Sequence, residues 1–474
     1  MRLTSSLALS AVLALGACAT ARDAEIALPE AYPTLDANAA ATGVLDAWWL
    51  SFGDPELNAL IDEALTLSPD AQSAAARLRE ARLTATSALT TFLPQGQLTG
   101  SARQTETEQI DGQEVSVPGL STSGTSESYQ GAFNVSWELD LFGRFFAVRR
   151  AAQGDTAAAR FAYEGARASL AANVADAYFQ ARGLAIQLED ARESARVQQS
   201  LYDLAQQRVD IGIAARSDSD RVAGELAQAR SQVENLEAEL QAQQRTLLVL
   251  VGRGTAPLSG VSTPPLAGLP PPVPAALPGE LLARRPDVRE AEARVRSAAG
   301  RLAVAQLAFF PTFTLTPGLG ISRTVQPGYE ATTQNWSIGA NVTQPVLNIP
   351  QLLLDMRAQD ARTEQAVIAY EKVVQTAYAE AESALVRLSA DRRRVDLLTD
   401  GEARAERAYR SARIGYDAGL TDLQTALAAE QTWRATRGQL TSAQVQSQRR
   451  AVQAFKALGG GWPSQDLPLN TQAR

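Results

Sequence analysis

Apolar residues recur along this chain in two rhythms, one with a period of two and one with alternating steps of four and three. Phe133, Val135, Trp137, Leu139 and Leu141 interleave with Asn134, Ser136, Glu138 and Asp140, and Phe313, Leu315, Pro317, Leu319 and Ile321 interleave with threonine, glycine and serine. Only an extended backbone sends alternate residues to opposite faces, so both windows are strands. Trp336, Ile338, Ala340 and Val342 alternate with Ser337, Gly339, Asn341 and Thr343 in a further window, and Gln97 to Thr105 alternates more weakly. The strands pair as 95–142 and 312–346, each pair joined by a polar loop, the first from about Thr107 to Ser128. The second rhythm sets heptad seams: Leu170, Val174, Ala177, Ala181, Leu184, Leu188, Ala191 and Ala195; then Val222 to Leu240; then Val367 to Leu388. Helices of about sixty residues, near 147–207 and 352–413, would be roughly 90 Å long, well beyond a bilayer of about 40 Å.

The rhythms occur twice in the same order. Pro69-Asp70 and Pro286-Asp287 open helical stretches that close at Pro94 and Pro311, and both pairs of landmarks are 217 residues apart. A shared offset at both ends marks a duplicated element. Segments therefore divide into 18–94, 95–142 and 143–256 for the first repeat, a proline-rich linker at 257–280, 281–311, 312–346 and 347–458 for the second, and a polar tail at 459–474. The repeats differ most at their hairpin turns, around Gly212 and Gly419, where twofold likeness should weaken.

A strand of about ten residues with one apolar and one polar face is the unit of a membrane β-barrel, although a sandwich strand alternates in the same way. On the barrel reading Phe133, Val135, Trp137, Leu139, Phe313, Leu315, Leu319, Trp336, Ile338 and Val342 face lipid, and Asn134, Ser136, Glu138, Asn341 and Thr343 face a lumen. Four strands cannot close, and an open edge cannot persist in hydrocarbon. The chain must then oligomerise, two copies giving eight strands and a bore filled by side chains, three giving twelve and room for an aqueous bore.

Composition changes this picture by removing chemistry. With no histidine and a single cysteine among 474 residues, imidazole bases, Ser-His-Asp triads and ordinary zinc sites are excluded, and no metal or soluble cofactor is expected. The net charge of −8 argues against nucleic acid, and no glycine-rich phosphate loop is present. Glu138 and Asp140 lack the second carboxylate pair a glycosidase would need and read as lumen lining. Near the start, Arg2 precedes an apolar run from Leu7 to Leu15, the h-region of a secretory signal at 1–17. Leu15-Gly16-Ala17-Cys18 resembles a bacterial lipobox, which implies a diacylglycerol and N-acyl anchor on Cys18, and the Ala19 that follows implies the outer membrane.

Trp48-Trp49 through Asp54-Pro55-Glu56-Leu57-Asn58, the Ser68-Pro69-Asp70 helix, Trp137-Glu138-Leu139-Asp140-Leu141-Phe142-Gly143-Arg144, and Leu281 to Asp287 with Phe309-Phe310-Pro311 resemble the TolC superfamily. The likeness is to its OprM/NodT-type outer-membrane efflux lipoproteins and covers nearly all of the mature chain. It implies a mainly α fold with a membrane β-barrel: a homotrimer whose twelve-stranded barrel continues into a long periplasmic α-helical barrel, with a small mixed equatorial region. It also implies a passive, non-enzymatic exit duct for drugs or other small toxic compounds, served by a periplasmic adaptor (membrane fusion) protein and an inner-membrane transporter of the resistance-nodulation-division (RND) class. In such channels the tunnel narrows at the helical turns, which places Asp417, Asp422, Asp218 and Asp220 as candidates for an acidic ring, closed by salt bridges to Arg413 or Arg208; solvated turn aspartates are the alternative. A duct for type I protein secretion and a structural lipoprotein without a channel remain open beside it.

Overall fold

The computed structural model describes residues 28–29, 32, 45–108, 110–111, 124–213, 215–260, 263–264, 270–273, 279, 284–326 and 328–461. Leu15, Gly16, Ala17 and Cys18 lie outside the described residues. After a 3-10 turn at Trp48–Phe52 come α1 (Pro55–Leu67), α2 (Pro69–Thr90), β1 (Gln95–Thr107), β2 (Gly124–Leu139), α3 (Arg144–Asp210) and α4 (Arg216–Val251). The second repeat supplies α5 (Pro286–Leu307), β3 (Thr312–Gln326), β4 (Tyr329–Thr343), α6 (Ile349–Asp417) and α7 (Leu423–Ala457).

Local chemistry sets these limits. Asp54 accepts from the amides of Glu56 and Leu57 at 3.1 and 3.2 Å, and α1 starts at a proline that has no N–H to satisfy. Asp140 caps α3 more fully: Oδ1 accepts from Gly143 and Arg144 at 2.9 and 2.8 Å, and Oδ2 from Phe145 at 2.8 Å. This corrects the assignment of Asp140 as lumen lining, and it ends β2 at Leu139 rather than Leu141. The strands are longer than their apolar stretches, because ladder pairing satisfies the backbone where side chains are polar on both faces. Ser322 pairs with Thr333 and Thr324 with Ala331, so in place of a polar loop β3 and β4 are separated by residues 327–328 alone, with Gly328 at φ +79°.

The chain forms two compact units, each drawing on both repeats: one takes residues 79–158 and 291–369, the other 25–78, 159–290 and 370–474. In the first, α3 and α5 meet almost backbone to backbone at Gly154 and Gly300. Asp155 fastens the crossing, accepting from Ser297 Oγ at 2.6 Å and from Arg301 at 2.7 Å.

In the second unit, Trp48 stacks on Phe455 at 5.7 Å and is 1 % exposed, so the tryptophan pair is core. Around it lie Leu57, Ile61, Tyr178, Phe179, Leu247 and Leu458. The repeats make the same close approach here: a Cβ on Gly252 would strike Leu67 O, and one on Gly459 would press on Arg284 and the amide of Arg285. Linker carbonyls are held by arginines, Pro264 O by Arg182 and Pro271 O by Arg392.

Candidate functional site

The four strands form one antiparallel sheet in the order β1-β2-β3-β4, with β1 and β4 as its edges. Its register places Leu98, Phe133, Leu319 and Trp336 in one row, with Trp137, Leu315 and Ala340 in another and Leu139, Phe313 and Val342 in a third. All ten residues read as lipid-facing share this face, and its members are unusually bare: Trp336 is 80 % exposed, Leu98 79 % and Ile338 66 %. Counted along β2 from Leu139 to Gly131 the apolar face is about 26 Å long at ~3.3 Å per residue, or roughly 20 Å tall for strands tilted by about 40°, most of the height of a barrel's apolar band.

Asn134, Ser136, Glu138, Asn341 and Thr343 share the opposite face with Thr314, Thr316 and Ser337. That face is knit by its own side chains. Thr316 Oγ1 donates to Gly339 O at 3.3 Å, and Asn341 Nδ2 donates to Thr316 Oγ1 at 3.5 Å. Glu138 pairs with Arg144 at 3.3 Å.

Where strands become helices the apolar face ends in aromatics. Phe142 stacks on Phe310 at 4.8 Å and lies 6.3 Å from Phe313, Phe92 meets Phe145 edge-on at 5.5 Å, and Trp137 Nε1 donates to Phe92 O at 3.1 Å. Trp137, a ring with one polar edge, suits such a boundary.

The hairpin turns at the other ends of α3 and α6 close in the same way, contrary to the expectation that they differ most. Ile213 N donates to Arg208 O and Gly212 N to Val209 O, while Leu420 N donates to Gly415 O and Gly419 N to Tyr416 O. Each is a Schellman closure around a left-handed glycine, Gly212 at φ +78° and Gly419 at φ +72°. The divergence lies in side chains: α7 is capped by Asp422, which accepts from Thr425 N at 2.7 Å, whereas Ala215 leaves α4 without a side-chain cap.

The gate candidates are therefore differently employed. Asp417 pairs with Arg413 at 3.2 Å within α6, and Asp422 is a helix cap whose hydrogen bonds to Thr425 hold its carboxyl below the usual range. Arg208 forms no bridge to a turn aspartate; its guanidinium lies 4.5 Å from the Tyr416 ring centre. Asp218 is 4.0 Å from Arg221, and Asp220 is exposed. Ile213 and Leu420, at matching places in the two turns, stand 69 % and 82 % exposed.

A polar seam between α3 and α7 was not foreseen. Asp176 takes two bonds from Arg449 at 2.7 and 3.0 Å, Asp190 takes one from Arg437 at 2.8 Å, Ser194 meets Arg434 at 2.6 Å and Gln198 donates to Glu430 at 2.8 Å. The buried stripe of α3 thus passes to Ser194 and Gln198 where Ala195 was expected. Polar residues at steps of three and four from Asp176 to Gln198 were the available signal. Glu430 is fully buried, and burial, ahead of its contact with Arg434, pushes its carboxyl up; Asp190 is pushed up for the same reason. A cavity of about 600 Å³ lies against Asp190, Glu430 and Trp433.

The sheet's two faces and the paired hairpins have counterparts in known proteins. The family model described as "Outer membrane efflux protein" matches residues 60–253 and 277–460. "Pyoverdine export outer membrane protein OpmQ" of Pseudomonas aeruginosa is 29 % identical over 463 residues, 96 % of each chain. "Probable outer membrane lipoprotein SilC" of Salmonella typhimurium is 26 % identical over 423 residues, 88 % of each. The solved outer-membrane channel OprN superposes with a TM-score of 0.78 at 26 % identity, covering 94 % of this chain and 100 % of that one. The chain belongs to the outer membrane efflux protein family, and it is an outer-membrane channel, the exit duct of an efflux system.

Proposed function

We propose that three copies of this chain pair β1 of one with β4 of the next, closing a twelve-stranded barrel that is a passive outlet for small toxic compounds. The observation that carries this reading is a sheet with two unpaired edges, one bare apolar face about 26 Å long along its strands and one polar face. In hydrocarbon those edges must find partners, and the cheapest partner is the same sheet in another copy. The apolar face, Phe133 through Val342, then meets lipid, and Asn134, Ser136, Glu138, Asn341 and Thr343 line the lumen.

The remaining parts follow from the same reading. Acyl chains on Cys18 anchor the mature chain to the outer membrane, a reading supported by the relative SilC, which is named a probable outer membrane lipoprotein. A periplasmic adaptor docks on the hairpin turns, where Ile213 and Leu420 offer bare apolar tips, and links the duct to an RND-type transporter that supplies the energy. Asp417, Asp218 and Asp220 are the carboxylates available to line the narrow end, with Asp422, Arg413 and Arg208 fixing the turns that carry them. The duct performs no catalysis.

Purified protein in planar bilayers should conduct ions and carry the mass of three chains in detergent. A monomer, or a trimer that leaves bilayers silent, would overturn the reading. Hypersensitivity to small toxic compounds on deletion separates this outlet from one for secreted proteins.

A further inference from the structure

We infer that the first turns of α3 carry a binding surface for anionic phospholipid headgroups, centred on Phe146, Arg149 and Arg150. The inference rests on the proposal that the sheet's apolar face meets lipid, and it adds the class of lipid that face selects at its lower margin.

An unbroken path of contacts leads from the apolar face to these residues. Trp137, on that face, donates to Phe92 O at 3.1 Å; the Phe92 ring meets Phe145 at 5.5 Å, and Phe145 meets Phe146 at 5.6 Å. Phe146 is 64 % exposed. Arg149 and Arg150 follow it by three and four residues and Gln153 by seven, so all four lie on one exposed stripe of the helix, while Ala147 and Ala151 are buried.

Among the described residues their charges are unmatched. Several other arginines of the same unit are neutralised, among them Arg144 by Glu138 at 3.3 Å, Arg301 by Asp155 at 2.7 Å and Arg323 by Glu330 at 2.5 Å. Arg149 and Arg150 have no carboxylate partner among the described residues. Neither is the stripe placed for contact between copies, since α3 continues β2, a central strand, and association across the sheet's edges would engage β1 and β4.

Depth fits as well. Arg149 and Arg150 lie about 8–9 Å along the helix from its start at Arg144, at ~1.5 Å per residue. The headgroup layer occupies roughly 5–8 Å on each side of the hydrocarbon. A guanidinium there reaches phosphate oxygens while its stem and Phe146 rest against acyl chain. Anionic headgroups answer the charge; zwitterionic ones do so only in part.

The test uses the full lipidated protein in nanodiscs of phosphatidylethanolamine with and without phosphatidylglycerol, and measures by mass spectrometry the lipid that remains bound after detergent extraction. Wild type should retain phosphatidylglycerol in preference, less so at high salt. The preference should fall about fivefold for Arg149→Gln or Arg150→Gln alone and further for both. Arg149→Lys with Arg150→Lys should keep it, as should Arg393→Gln with Arg394→Gln, exposed charges on α6 far along the chain. Absence of preference in wild type, or its survival in both single glutamine variants, overturns the inference. Insertion without lipid preference would sink this inference alone, whereas failure to insert into any bilayer would sink the lipid-facing reading and this inference with it.

Discussion

Replacing Gly300 by alanine adds one methyl group at the point where α5 runs closest to α3. A Cβ built there sits 2.6 Å from the backbone N of Ala151 and 2.8 Å from its Cα, whereas carbon contacts settle at about 3.5–4.0 Å. Neither neighbour is a side chain that can swing aside, so the helices must part by roughly 1 Å, a distortion that costs about 1–3 kcal/mol in a packed interior. Parting also stretches the bonds of Asp155 to Ser297 and Arg301. Gly224→Ala is the matched reference. It too lies inside a helix, but no heavy atom comes within 4 Å of its Cβ, so it should show only the propensity gain of about 1 kcal/mol that both substitutions share. Thermal unfolding of the detergent-purified proteins, followed by helical circular dichroism, should place Gly300→Ala below wild type and Gly224→Ala above it. Gly154→Ala should behave like Gly300→Ala, since its Cβ would lie 2.6 Å from Ser297 N. The double variant should be less harmful than the sum, because helices already parted by one methyl have room for the second. Equal melting of Gly300→Ala and Gly224→Ala would refute the close-packed crossing.

On the sheet, Ile338→Arg should block assembly in the outer membrane, an arginine near mid-bilayer costing about 2–4 kcal/mol, whereas Asn341→Arg on the other face should assemble and shift ion selectivity; heat-modifiability and bilayer conductance read both, and the opposite pattern would reverse the faces. Glu430→Gln should remove a pH dependence of stability. With its pKa raised by burial, Glu430 favours the folded state below its unfolded value and loses that contribution as pH rises through the folded one, so wild-type melting should decline relative to the variant from about pH 4.5 upward; parallel curves would show that the buried carboxylate carries no such linkage. Asp422→Ala should loosen the start of α7 and raise passive conductance, and unchanged conductance would detach the turn from the aperture.

The barrel strands were legible because their alternation is a backbone consequence: with a period of two, Phe133 to Leu139 could not be placed on one face in any other conformation. Strand limits were not, since Ser322 to Gln326 pair through backbone groups that no side-chain pattern reports. The heptads located Leu170 to Leu188 but misplaced the stripe beyond them, where α3 turns Ser194 and Gln198 inward. There the interior is satisfied by partners on α7 more than 200 residues away, Arg434 and Glu430, and a local pattern cannot register pairing at that distance. Asp140 was misread for a related reason. Its place in the alternation matches Glu138, yet Gly143, two residues past the end of the apolar run, turns the chain so that three amides converge on its carboxylate.

The two repeats are equivalent at their ends but not throughout, and the sequence offsets locate the break. Helix-to-strand junctions repeat at 217, strand ends at Leu139 and Thr343 at 204, and the starts of α3 and α6 at 205. The first hairpin therefore carries the extra residues, at the connection between β1 and β2, where added length does not disturb the register of the sheet. Turns and closing glycines, Gly212 with Gly419 and Gly252 with Gly459, repeat at 207. Two residues have thus entered α6 along its length, and in a continuous helix they rotate everything beyond them by about 200°. Buried positions place the insertion. Ala158 and Thr363 still match at the earlier offset, whereas Leu170 with Ala377, Val174 with Ala381, Ala181 with Leu388 and Leu188 with Val395 match at the later one. The shift falls between 363 and 377, where the chain passes from one compact unit to the other. Each unit can then keep its own likeness between repeats while α3 and α6 remain unbroken helices, and the rotation is absorbed in the one stretch where neither packing pattern holds.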